Sequence, residues 1–144
     1  QGMLIGLQPP IASSNYTSHF HLAKLEVSKE EVSKGEKFDL TVTDMYNMST
    51  TFKNGHLGFI AEKDSKQYVL WSASLGNVKT NWGTQGQTFS NITIPNDLAD
   101  GTYALYLATK DVREASWSRV RGDYGSESQF TLIVAGNKYQ FTQP

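Results

Sequence analysis

His19 and His21 stand two residues apart in a stretch that alternates like a strand, so both imidazoles would leave one face, as paired metal ligands do. A third ligand would have to come from His56 or a carboxylate, and neither has a diagnostic spacing; the pair fits an edge strand turned to water equally well. Asn96, Asp97 and Asp100 offer oxygens to a cation, but they lack the repeated ligand spacing of a calcium loop and suit a tight turn better. Covalent catalysis needs a nucleophile beside a base, and glycoside hydrolysis needs two carboxylates around a pocket. The chain has no cysteine, and none of its serines or histidines sits in a strand-to-turn elbow. The residues therefore predict no catalytic group, no metal site and no cofactor in this chain.

Binding chemistry is the stronger expectation. Flat aromatic faces stack on sugar rings or anchor a partner protein with little loss of side-chain freedom. Trp82 and Trp117 fall in irregular stretches, with Tyr124, Arg119 and Arg121 close by in sequence, and these five form the candidate binding surface. Trp71, by contrast, is placed at the end of a strand as a packing residue. Both tryptophans of the candidate surface would serve equally well as core.

Thirteen basic and fourteen acidic side chains leave a net charge of −1, so no global field attracts nucleic acid or an anionic membrane. No apolar run approaches the length of a membrane-spanning helix. The opening QGMLIGLQPP has neither the basic start nor the long apolar core of a signal peptide, and reads as a piece of a larger polypeptide. At 144 residues the chain fits one domain that buries about 70% of the surface its unfolded form exposes, so it needs no disulfide staple.

The elements that would position these groups are strands. After Gly101 the pattern is strictly two-residue, with Tyr103, Leu105 and Leu107 on one face and Thr102, Ala104, Tyr106 and Ala108 on the other. Phe38, Leu40 and Val42 alternate with polar residues in the same way. Phe20, Leu22, Leu25 and Val27 alternate apart from a slip near Ala23 and Lys24, which predicts one strand with a bulge. Leu57, Phe59 and Ala61, a charged turn at 62–66 and the stretch 68–73 predict a hairpin. Residues 88–94 and 129–134 complete about seven strands, and Tyr139 and Phe141 suit a short extra one. Residues 44–55 and 111–125 are expected to be loops, and 75–87 a long loop or a short, poorly marked edge strand. The small and polar residues 11–18 read as a linker. The expected organisation is a strand and linker over 1–18 followed by an antiparallel all-β sandwich over 19–144.

Two resemblances sharpen this expectation. The order Leu98, Asp100, Gly101, Tyr103 resembles the tyrosine corner of immunoglobulin-like and fibronectin type III sandwiches, in which a Tyr folds under a strand connection and bonds back to its backbone. In fibronectin-type modules the tripeptide Arg-Gly-Asp binds integrins, and Arg121, Gly122 and Asp123 spell it here, although these charges fit a solvated loop equally well. Gln1, Met3, Leu4, Ile5, Gly6, Leu7 and Pro9 resemble the closing segment of streptopain-like cysteine peptidase domains, whose catalytic Cys and His would lie upstream. That resemblance implies an accessory domain of a secreted or cell-surface bacterial protein, with the upstream peptidase domain as its partner. An alternative is a carbohydrate-binding or adhesin-type module that uses exposed aromatics on a host protein or glycan.

Overall fold

A computed structural model describes residues 11–12, 16–22, 24–43, 45–79, 87–111, 113, 116–122 and 129–142. It is all-β: thirteen strands and no helix among the described residues. Three of them, β3 (Lys24–Val27), β5 (Phe38–Thr43) and β9 (Gln87–Ile92), form an antiparallel sheet in the order β3-β5-β9. In β5 every second residue is buried, as its alternation predicts.

The larger sheet is built on the long hairpin of β7 (Phe52–Lys63) and β8 (Lys66–Val78). Asp64 and Ser65 close that hairpin with φ of 55° and 60°, the left-handed pair that a two-residue turn needs to match strand twist. Beside β7 lies β10 (Gly101–Lys110). Its first half pairs with β12 (Gln129–Ala135), and its end pairs with β11 (Ser118–Gly122), so one strand carries two neighbours on the same edge. From there the order runs on through β2 (Tyr16–Leu22) to β6 (Tyr46–Asn47), while β1 (Ile11–Ala12) adds to the far edge of β8. On the other branch β13 (Lys138–Thr142) joins β12, and β4 (Glu31–Ser33) joins β13.

The seven-strand path is curled, and Asn47 fastens its ends. This fully buried amide donates to the carbonyls of Thr50, Val78 and Lys79 at 3.0, 3.1 and 3.2 Å, which ties β6 to the end of β8. One apolar cluster fills the interior, including Phe20, Leu40, Phe59, Leu105 and Tyr139. Burial of such side chains, at about 1.5–3 kcal/mol each, is the main force holding the sheets together.

Several expectations need correction. The slip near Ala23 is no bulge within one strand: β2 belongs to the large sheet and β3 to the small one. A chain that leaves one sheet for the facing one must invert which of its residues point inward, and the change from even to odd numbers does that. The expected loop at 44–55 contains β6, a buried Met45 and the start of β7. Of the stretch 75–87, expected as a loop or edge strand, β8 takes the first residues as far as Val78, and β11 lies within the expected loop at 111–125. The expected linker at 11–18 contains β1 and the start of β2. Each of these short pieces is held by partners distant in sequence, which local patterning does not reveal.

Candidate functional site

Two of the five candidate residues, Trp117 and Arg119, meet around Tyr106 on the outer face of the large sheet, where β11 lies beside β10. That face is covered by a second apolar cluster of Ile60, Tyr106, Ala108 and Trp117, distinct from the main core. Trp117 lies over Gly58: a Cβ there would come within 2.8 Å of the indole Cζ3, so only a bare backbone leaves room for the ring. Lys110 Nζ sits 5.9 Å from the ring's centre. With 5% of its surface exposed, Trp117 is a packing residue and offers no free face for stacking.

A continuous polar chain runs through this cluster. The Gln67 amide donates from Nε2 to the Trp117 carbonyl at 2.9 Å, and the Trp117 N–H donates back to Gln67 Oε1 at 3.1 Å. Gln67 Nε2 also donates to the Tyr106 hydroxyl at 2.8 Å, and that hydroxyl donates to Glu62 Oε1 at 2.7 Å. Arg119 completes the chain: its Nη2 is 3.4 Å from the same carboxylate oxygen, and its guanidinium lies 4.1 Å above the Tyr106 ring. Burial, reinforced by the bond to Glu62, pushes the Tyr106 hydroxyl well above the ordinary tyrosine range. A phenol so held keeps its proton at neutral pH and is no general base. The network satisfies its own buried groups, which is a structural task.

The corner is built from local parts. Tyr103 is buried, and its hydroxyl donates to the Ala99 carbonyl at 2.6 Å. Leu98 is buried beneath the connection, and Asp100 accepts the Gly136 N–H at 3.2 Å. Gly101 has a φ of 153°, and a Cβ there would meet Lys63 Nζ at 2.6 Å. A second phenol reaches the same connection, since the Tyr139 hydroxyl donates to the Pro95 carbonyl at 3.2 Å.

Arg121 and Gly122 are in β11, where Arg121 pairs with His21 of β2; Trp82, Asp123 and Tyr124 lie outside the described residues. The His19 ring sits 4.9 Å from Phe52, with its Nδ1 buried and unpartnered, and the His21 ring is 6.0 Å from Tyr46. Among the described residues no three His, Asp or Glu side chains converge on a point that would hold a metal ion. Asp97 and Asp100 are exposed at the corner.

Sequence reasoning missed Gln67, Glu62 and Tyr106 as partners. The one available signal was Tyr106 itself, a large ring on the face of β10 opposite Tyr103. No family model, no curated protein and no solved structure matches this chain.

Proposed function

We propose that this chain is a non-catalytic immunoglobulin-like β-sandwich, an accessory domain that docks, orients or stabilises a streptopain-like cysteine peptidase in a secreted or cell-surface bacterial protein. The single observation that carries the sandwich reading is the Tyr103 hydroxyl bonded to the Ala99 carbonyl beneath the connection from β9 to β10. The strand orders β3-β5-β9 and β8-β7-β10-β12 support it, because they correspond to the A-B-E and C-F-G sheets of such modules with one strand added beside C. A frame role is supported further by the polar groups around Tyr106, which are engaged with one another.

The peptidase attachment rests on the residues Gln1 to Pro9 and on nothing in the fold. A pull-down of the upstream polypeptide by residues 11–144, which keep β1 and β2 whole, tests it. Retention of a polypeptide that hydrolyses peptides through a cysteine supports the reading, and failure to retain it counts against docking.

A further inference from the structure

A cleft of about 560 Å3 opens between β8 and the segment that leaves β9 for β10. That volume is within the roughly 300–1,000 Å3 of small-molecule sites. None of the ten described residues lining it is ionisable; their chemistry comes from one indole, Trp71, and from the side chains of Asn91, Thr93 and Asn96. Trp71 is half-buried, steadied by the Phe89 ring at 5.0 Å, and still lines the cleft.

Both walls are irregular at the lining residues. In β8 the pairing shifts between Val69, opposite Ile60, and Trp71, opposite Phe59. Leu70 is the extra residue, so Trp71 turns to the inner side with Phe59 while Val69 stays on the outer side with Ile60. Across the cleft, the four residues of β9 from Phe89 to Ile92 stand opposite only three of β5, Phe38 to Leu40, and Asn91 takes a φ of 61°. A non-glycine residue held left-handed costs about 1 kcal/mol or more, and such strain gathers at binding sites. Here it is held by the Asn91 N–H donating to the Asp39 carboxylate at 3.1 Å.

We propose that this cleft binds a neutral carbohydrate, with one sugar ring against the Trp71 indole and its hydroxyls met by the side chains of Asn91, Thr93 and Asn96. An apolar ring face beside uncharged donors and acceptors matches a pyranose, which has C–H faces and an equatorial rim of hydroxyls. An anionic ligand would lack a countercharge among the described lining residues. An extended peptide would need regular ladder groups along an edge, and the bulges on both walls interrupt them. The site lies in the sandwich itself and does not depend on attachment to a peptidase.

The test is an NMR titration of the full chain with neutral gluco-, manno-, galacto- and chito-oligosaccharides, following the indole N–H of Trp71, which is assigned by its loss in Trp71→Phe. One of these sugars should shift that resonance and leave the Trp117 indole unmoved. Trp71→Ala should abolish binding. The exposed pair Thr93→Ala with Asn96→Ala, which removes no core contact, should weaken it about tenfold while the spectrum stays that of a folded chain. The proposal is overturned if no neutral sugar moves the Trp71 signal, if the Thr93/Asn96 variant binds unchanged, or if an acidic glycan or an extended peptide takes the cleft instead.

Discussion

The side-chain amide of Gln67 bonds both the N–H and the carbonyl of Trp117, fifty residues further along the chain. A side chain here does what a neighbouring strand would do, and it anchors the segment that leads into β11. Gln67→Leu keeps the volume but leaves two buried backbone groups of Trp117 without partners. At about 1–3 kcal/mol for each unsatisfied group, the variant should lose about 3 kcal/mol in urea denaturation. A loss below about 0.5 kcal/mol would show that the bridge does not hold this segment.

Gly58 makes the opposite kind of test, by addition. In Gly58→Ala the new methyl meets a rigid indole edge that cannot fold away. Overpacking of this sort costs about 1–3 kcal/mol. Trp117 should also be pushed toward water, seen as a red shift in tryptophan emission, and an unshifted spectrum would contradict its place over β7.

Removal of the corner bond has a smaller expected effect. Tyr103→Phe deletes the hydroxyl that donates to Ala99 and leaves the ring in place, so stability should fall by about 1 kcal/mol. Tyr103→Ala also empties the core beneath the connection and should cost about 3–5 kcal/mol. Equal effects from the two variants would mean that the hydroxyl, and not the ring, holds the turn.

The corner was legible because Leu98, Asp100, Gly101 and Tyr103 lie within six positions, so turn chemistry and burial act on one short segment. β5 was legible for the same local reason, one wet face and one dry. The Trp117 cluster was not. Its lid is made of Gly58, Gln67 and Tyr106 from three other strands, and nothing near residue 117 in sequence signals a second buried face. The cleft at Trp71 was hidden likewise, because a single-residue bulge re-aims the indole while the surrounding residues still read as an ordinary strand.

Alkaline pH should weaken the fold in a defined direction. Burial raises the hydroxyl pKa of Tyr106, and also those of Tyr103 and Tyr139, above the value near 10 that the unfolded chain has. Above pH 10 or so the unfolded chain sheds these protons and the folded one keeps them, so stability is full below that pH and falls as pH rises past it. Tyr106→Phe should flatten that fall in denaturation midpoints measured between neutral and strongly alkaline pH. An unchanged slope would contradict the burial of this phenol.

The accessory reading is tested most directly by the polypeptide it proposes, the peptidase joined to this chain, assayed for peptide hydrolysis with and without residues 11–144. The account predicts that the thiol-dependent activity resides wholly in the upstream part, and that deletion lowers that part's melting temperature while leaving it able to be retained by the isolated domain. Hydrolysis by residues 11–144 alone, or an upstream part with no cysteine-dependent activity, would contradict it.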